Sequence, residues 1–373
     1  MKIAIFTDSF LPGVGGTENA VHNFAKELCK TNKVIVFAPD YQRDSGRVFP
    51  YRVVRLKSFM VSYNDAAVFG SEKKKVKTEL SGFYPDVIHC QTLGPVGTMG
   101  ADYAVKNNIP LVYTVHTKYL DCYKHDLKVG ILAKLLLKKM IKPVFGADRV
   151  CTVSENMAGV LKEYGVNKPV TVIKNGGIKR NVPENDYPKG KPVFIYVGLV
   201  ALFKNLTFSL DVLKKLKERG QSFIFNVIGD GADRKKIQKY AAKKGLSTNV
   251  NFLGRITDKS VLDGYYAAAD LLLFPSVFDS DGLVILEAAN AGTPSMVIEN
   301  TGAAERIEDG VTGFTGKNDA DAFATKLFRL IHDRQTLKKV GKNAGSLFKP
   351  WSDSVDKYLA IYKEEIEKKS KKR

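Results

Sequence analysis

Residues Ile178–Leu199 read IKRNVPENDYPKGKPVFIYVGL. The run Ile178–Lys191 is polar, holds two Pro and shows no periodicity, which marks a connection between folded parts. After Pro192, the stretch VFIYVGL (Val193–Leu199) is continuously apolar, as in a strand buried on both faces of a parallel sheet. A strand pattern that restarts after a polar break implies two domains, and a length of 373 residues suits that number.

The pattern extends outward on both sides of the break. Toward the N-terminus, strands are expected at Lys2–Thr7, Lys33–Ala38, Val53–Leu56, Asp86–Cys90, Leu111–His116, Arg149–Ser154 and Val170–Lys174. Helical patterns such as Glu18–Lys30, Ser71–Gly82 and Val129–Lys142 lie between them. Toward the C-terminus, strands are expected at Val193–Gly198, Phe223–Gly229, Asn251–Leu253, Asp270–Pro275 and Ser295–Glu299. Their helices fall at Asn205–Arg219, Asp233–Lys244, Asp258–Ala268, Leu283–Ala291, Asp319–His332 and Leu337–Leu347. This alternation predicts two doubly wound α/β domains at 1–180 and 192–349, with the linker at 181–191. A last helix, Ser352–Glu367, and a basic tail fill 350–373. Such folds bind ligands outside the carboxyl ends of their strands, so a cleft between two such edges is the expected site.

Composition is ordinary for a globular protein, with 44 % hydrophobic and 26 % charged residues. No apolar run is long enough to span a bilayer, and the N-terminus reads as a strand and not as a signal peptide. Cys29, Cys90, Cys122 and Cys151 lack CxxC spacing and read as buried cytosolic thiols. Charge is the anomaly: 58 Lys and Arg against 39 Asp and Glu give +19. Such an excess attracts nucleic acid, an anionic membrane or phosphate-bearing substrates. Residues 118–142 alone carry seven Lys against two Asp.

Four motifs can carry chemistry. Gly13-Val14-Gly15-Gly16-Thr17-Glu18 follows the first strand and opens a helix, where backbone amides favour an anion; a plain tight turn explains it equally. In Tyr196–Asn205 a strand end, a loop and a helix start set Lys204 where its ammonium could neutralise phosphate, or simply be solvated. Phe274–Glu287 runs from a strand end through Asp279 and Asp281 into a helix near Gly282, whose amides suit a diphosphate. Asp279-Ser280-Asp281 spells DxD, a metal-associated pattern, but Asp281 is equally an N-cap. His116 closes an apolar strand at a carboxyl edge, as a functional or a structural group.

Taken together, these residues resemble a retaining glycosyltransferase of the large family 4, built on the GT-B fold of two facing Rossmann-like domains. The matching features are the GGTE loop, His116, Val153-Ser154, Ile173-Lys174-Asn175-Gly176, VGL…KN, Ile228-Gly229-Asp230-Gly231, Phe252-Leu253-Gly254-Arg255-Ile256, FPS, and the Asp279…Glu287 pair before AANAG. Trp351 and its helix resemble the family element that returns to the first domain. The resemblance implies that Lys204, the backbone at Gly282, Leu283 and Val284, and Gly15, Gly16 and Gly198 line the donor site. It further implies Glu287 on the ribose, Arg255 and Ile256 beside the base, and Asp279 on the transferred sugar with His116 near the reacting carbon. The donor is then a nucleoside-diphosphate sugar, with UDP-glucose expected, and no metal or other cofactor is required. Two positions depart from the family: Leu199 replaces its usual Arg, and Asp279 replaces its usual Glu.

Residues Tyr123–Lys142 read as one amphipathic helix. Leu127, Ile131, Leu132, Leu135, Leu136 and Met140 form a stripe flanked by Lys124, Lys128, Lys134, Lys138, Lys139 and Lys142. That pattern fits a helix lying on an anionic membrane, or a core helix with a solvated basic face. Relatives of similar look glucosylate diacylglycerol, so the expectation is a cytoplasmic enzyme peripheral to the inner face of the membrane, with Tyr119 and these Lys toward the acceptor. No nucleic-acid module is recognisable, and oligomeric state is not legible. A soluble sugar or polysaccharide acceptor stays open, as does a catalytically weak membrane- or polyanion-binding protein. A dinucleotide oxidoreductase is disfavoured because neither half has the glycine fingerprint with its distal acid.

Overall fold

The computed structural model describes residues 1–13, 15–41, 47–60, 66–127, 129–182, 185 and 190–371. The chain divides into two compact units, one of Met1–Gly176 with Trp351–Arg373 and one of Gly177–Pro350.

In the first unit the strands are β1 (Lys2–Phe6), β2 (Lys33–Pro39), β3 (Arg52–Leu56), the hairpin β4 (Ser58–Met60) and β5 (Ala66–Val68), β6 (Val87–Cys90), β7 (Leu111–Val115), β8 (Arg149–Thr152) and β9 (Val170–Val172). Among the described residues they build a seven-stranded sheet in the order β3-β2-β1-β6-β7-β8-β9, with β4 and β5 paired apart from it. Every pairing in the large sheet is parallel. The strands are almost wholly apolar because helices cover both faces, and Phe6 stacks on Phe37 across β1 and β2 at 4.5 Å. Those helices are α1 (Gly16–Leu28), α2 (Lys73–Phe83), α3 (Pro95–Lys106), α4 (Tyr119–Leu127), α5 (Gly130–Phe145) and α6 (Glu155–Glu163).

The second unit repeats the plan. Strands β10 (Val193–Val197), β11 (Ile224–Ile228), β12 (Val250–Gly254), β13 (Leu271–Phe274), β14 (Ser295–Ile298) and β15 (Phe314–Gly316) lie in the order β12-β11-β10-β13-β14-β15. Its helices are α7 (Leu206–Glu218), α8 (Arg234–Lys243), α9 (Lys259–Ala267), α10 (Leu283–Asn290), α11 (Ala320–His332) and α12 (Arg334–Ala344). Strand order reverses between β10 and β13, the topological switch point at which such sheets bind ligands.

Helix α13 (Trp351–Ser370) belongs to the first unit, as the sequence implied. Arg149 on β8 donates to Glu365 from Nη2 at 2.7 Å, and Ser354 Oγ donates to the Lys174 carbonyl at 2.7 Å.

Two expectations are corrected. Within the polar run after Ile178, Arg180 and Asn185 are fixed to the second unit, while 183, 184 and 186–189 lie outside the described residues: Arg180 Nε donates to Asp263 at 2.7 Å, and Asn185 Nδ2 donates to Thr293 Oγ1 at 3.0 Å. A buried carboxylate on α9 draws Arg180 in, so the division falls after Gly176. Of the four cysteines, Cys90 and Cys151 are buried, whereas Cys29 at the end of α1 and Cys122 on α4 are only half-buried.

Candidate active site

At the switch point of the second unit, side chains and backbone converge from β10 and β13. After β10 a single turn at Leu202–Lys204 leads into Asn205, whose left-handed backbone (φ 61°) starts α7. Asn205 Nδ2 donates to the Pro275 carbonyl at 3.1 Å, tying this turn to the end of β13. Lys204 thereby meets Asp279, its Nζ donating to Oδ1 at 2.6 Å, with the ammonium 5.0 Å from the Phe278 ring centroid. The second oxygen, Asp279 Oδ2, is buried and has no hydrogen-bond partner. An orphaned carboxylate oxygen is costly, and it is an open acceptor for a hydroxyl.

The loop bearing Asp279 is shaped from several sides. Ser276 Oγ accepts from the amides of Phe278 and Asp279, both at 3.2 Å. The buried Arg306 pairs with Asp281, Nε donating to Oδ1 at 2.8 Å and to the Asp281 carbonyl at 2.9 Å. Asp281 is therefore held by a guanidinium, and Gly282 (φ 70°) is the residue that caps α10. A side chain at Gly302 would stand 2.4 Å from the Ser280 carbonyl, so only glycine lets these backbones approach. Leu283 and Val284 follow as the first helical residues, their amides at the positive end of α10.

The other residues expected on the donor side are spread along the strand ends of this unit. Gly198 ends β10, and a side chain at Gly229 would collide with its carbonyl at 1.8 Å, so the two strand-end loops pack backbone to backbone. Leu199 is half-buried, and its carbonyl accepts from Tyr196 Oη at 2.9 Å. Arg234 lies at the neighbouring strand ends, 3.6 Å from Asp230 and donating to the Phe252 carbonyl at 2.9 Å. Glu287, in the second turn of α10, accepts from Tyr266 Oη at 3.0 Å and lies 3.6 Å from Lys259 Nζ. Arg255 is exposed beyond β12, and Ile256 packs partly against the core.

In the first unit the ends of β1, β6 and β7 carry a second polar group. His116 follows β7; its Nε2 lies 2.6 Å from Gln91 Oε1, and burial pushes its imidazole down to about 4, so it is neutral at physiological pH. Asp8 follows β1 and accepts from the amides of Val96 (2.7 Å) and Gly97 (3.1 Å) at the start of α3, and from Thr92 Oγ1 at 2.8 Å. Burial pushes Asp8 up to about 6 against the pull of those three bonds. Gly15 has extended backbone, and a Cβ there would stand 2.4 Å from Glu18 Oε2, so a side chain would make that carboxylate shift. Nothing stands within 4 Å of a Cβ at Gly16, the first residue of α1. Asp8, Glu18 and Gln91 were not legible as site residues, because each acts through a partner distant in sequence or through its own backbone turn.

The basic segment departs from the expected single helix. Val129 has extended backbone and ends the link between α4 and α5. A β-branched residue followed by Gly130 favours such a break. Lys128 lies outside the described residues, as do the side-chain surroundings of Leu127. Helix α5 buries Ala133, Leu137, Ile141 and Val144, a different stripe from the one expected. Ile131, Leu132 and Leu135 point outward at 73 %, 51 % and 59 % exposure, and Lys124, Lys134, Lys138, Lys139 and Lys142 are exposed. Leu136 and Met140 are half-buried. Tyr119 is turned inward at its tip, Oη accepting from the Leu93 amide at 3.0 Å, so it pins α4 and is not a surface group. Among the described residues no helix is long and apolar enough to cross a membrane.

Two parallel-sheet α/β domains of this topology are the architecture seen in GT-B glycosyltransferases. The chain belongs to that class: residues 14–176 match the model described as Glycosyltransferase Family 4, and residues 178–346 that of Glycosyl transferases group 1. It is similar to the alpha-monoglucosyldiacylglycerol synthase of Acholeplasma laidlawii, 25 % identical over 410 residues, covering 100 % of this chain and 99 % of the relative. The alpha-monoglucosyldiacylglycerol synthase of Streptococcus pneumoniae is 24 % identical over 338 residues, 86 % of this chain and 76 % of its own. Among solved structures, sucrose-phosphate synthase from Thermosynechococcus elongatus superposes with a TM-score of 0.79 at 19 % identity, over 97 % of this chain and 98 % of that one. Anabaena HepE in complex with UDP gives 0.77 at 20 %, over 98 % and 100 %.

Proposed function

We propose that this glycosyltransferase moves glucose from UDP-glucose to diacylglycerol or a close membrane lipid, with retention at the anomeric carbon. The observation that carries the donor half is the meeting of Lys204, the orphaned Asp279 Oδ2 and the amide end of α10 at one strand-order reversal. As the anomeric carbon leaves the diphosphate oxygen and bonds to the acceptor oxygen, negative charge grows on the diphosphate, which takes up the proton lost by the acceptor hydroxyl. In this reading Lys204 and the amides of Gly282–Val284 take that charge, at the cost of the resting Lys204–Asp279 pair. Asp279 is released by that exchange to accept from a hydroxyl of the sugar. Glu287, with two carboxylate oxygens, suits the vicinal hydroxyls of ribose. This reading invokes no metal: Lys204 and the α10 amides take the diphosphate charge, and Asp281 of the DxD sequence is held by Arg306.

The acceptor half rests on α5, with its outward Ile131, Leu132 and Leu135 beside four exposed Lys of its own and Lys124 of α4, and on the named activity of the two relatives. Each Lys near an anionic surface contributes about 1 kcal/mol, so four or five suffice for reversible docking at the inner face of a cell membrane. The test offers labelled UDP-glucose together with diacylglycerol in anionic vesicles and with soluble sugars. Label entering the lipid phase supports the reading. Label confined to soluble products overturns the lipid acceptor, and bound vesicles without any transfer overturn the enzymatic reading.

A further inference from the structure

Tyr266 on α9 is fully buried, and a phenol hydroxyl taken out of water needs a partner. Its partner is Glu287 on α10, to whose Oε2 the Tyr266 Oη donates at 3.0 Å. Burial, reinforced by the charge of Glu287, pushes the phenol well above its ordinary pKa, so it stays a donor. The base of the ring is fixed as well: the Tyr266 carbonyl accepts from Thr293 Oγ1 at 2.6 Å and from the Ala269 amide at 3.1 Å. The other carboxylate oxygen, Glu287 Oε1, lies 3.6 Å from Nζ of Lys259, a side chain that is 55 % exposed. At that separation the two charges attract without a hydrogen bond. Arg180, a nearby cation, is engaged by Asp263, its Nε donating at 2.7 Å. That bond, against burial, and then the charge of Glu287 raise the Arg180 pKa, so its guanidinium stands near Glu287 while bonded elsewhere.

We propose that Tyr266 is a positioning residue that tethers Glu287 by Oε2 and thereby presents Oε1 to the ribose of the nucleotide. The ribose is taken from the reading of Glu287 given above, whereas the tether is seen directly. An untethered glutamate on a helix turns among several rotamers, one of which must be selected before it can grip a diol. Holding one oxygen on a rigid, buried phenol makes that selection in advance, and lone pairs remain on both oxygens for two hydroxyls. Lys259 is the weaker contact, being long, exposed and able to swing aside.

Calorimetry of the full chain with UDP and with 2′,3′-dideoxy-UDP separates a positioning role from a structural one. A structural loss weakens both nucleotides alike, and only a change at the ribose alters their ratio. The wild type is expected to bind UDP about tenfold or more tighter than the dideoxy form. Tyr266→Phe, which keeps the ring and removes the hydroxyl, cuts that preference by about threefold or more and raises donor KM more than it lowers kcat. Glu287→Ala abolishes the preference, and adding Tyr266→Phe to it changes the ratio no further. Lys259→Met, a change at an exposed side chain, keeps the preference or enlarges it. An unchanged ratio in Tyr266→Phe, with the ratio lost in Glu287→Ala, overturns the proposal and leaves Glu287 on the ribose. A preference lost in Lys259→Met overturns it too, because the lysine is then the orienting group, and this holds even if Tyr266→Phe does not fold. A wild type that binds the two nucleotides alike, or neither, refutes the ribose reading and the proposal with it.

Discussion

The ion pair beside the loop between β13 and α10 makes a quantitative demand on the second unit. Arg306 and Asp281 are 6 % and 8 % exposed, and the guanidinium also holds the carbonyl of Asp281, the residue before the cap of α10. Removing one partner of such a pair strands a buried charge, which costs about 3–5 kcal/mol. Replacing both with apolar groups strands none, so the double variant recovers much of that loss. Arg306→Met and Asp281→Leu are therefore each expected to destabilise the second unit by about 3 kcal/mol or more, with a coupling of at least about 2 kcal/mol in the cycle. The reporter must belong to the second unit: Trp351, the sole tryptophan, lies in the first. Hydrogen exchange of the amides of β13 and α10 under native conditions, followed by mass spectrometry, measures the opening free energy locally. Both single variants should also weaken UDP binding, since neither leaves Gly282 fixed. Single losses below about 1 kcal/mol that simply add would refute the reasoning and reduce the pair to an ordinary surface bridge.

Other consequences are open to measurement. Lys204→Ala should lose at least about tenfold in transfer while retaining its fold, and a chelator should leave wild-type transfer intact; the opposite outcome in either arm contradicts a lysine-stabilised leaving group. Glu287→Gln should raise the UDP dissociation constant measurably by calorimetry, and an unchanged constant would remove the ribose from its role. Changing Lys134, Lys138, Lys139 and Lys142 together to Glu should abolish salt-sensitive binding to anionic vesicles and spare donor hydrolysis; normal binding would make α5 purely structural. His116, depressed from 6.5 to about 4, contributes stability present above pH 6.5 and lost as pH falls to about 4. Asp8, raised from 3.8 to about 6, contributes stability present below pH 3.8 and lost as pH rises through 6. The two slopes oppose each other, each reaching at most about 1.4 kcal/mol per pH unit, so Asp8→Asn should make first-unit stability climb more steeply with pH between about 4 and 6. Urea titration followed by Trp351 fluorescence reads this, and parallel curves for variant and wild type would count against it.

Most strands and helices were legible because parallel strands buried on both faces leave continuous apolar runs and surface helices leave 3.6-residue stripes; the three-residue strands β4, β5 and β15 are too short to leave such a run. Helix α3 was not among them. Its sequence, PVGTMGADYAVK, has two Gly and little stripe, and it forms because Asp8 caps it from far along the chain and Gly100 fits against the Phe6 ring. Lys204, Asp279 and Gly282, which the structure brings to the switch point of the second unit, were legible as a set because each sits between a strand end and a helix start. Their supports were not: Arg306 on Asp281, Asn205 on Pro275 and Gln91 on His116 are pairings made by topology, with no local pattern to announce them. Helix α5 misled in a different way, since its inward stripe is made of Ala133, Leu137, Ile141 and Val144 while larger apolar side chains face outward.

The most direct test of lipid-directed retaining transfer uses UDP-glucose carbon-13 labelled at the anomeric position, diacylglycerol in anionic vesicles and the full chain. The first product formed is followed by NMR before any rearrangement can occur. The account predicts a glucosyl lipid whose anomeric carbon keeps the α configuration of the donor; a β-glucosyl lipid, or label that reaches only water or soluble sugars, would contradict it.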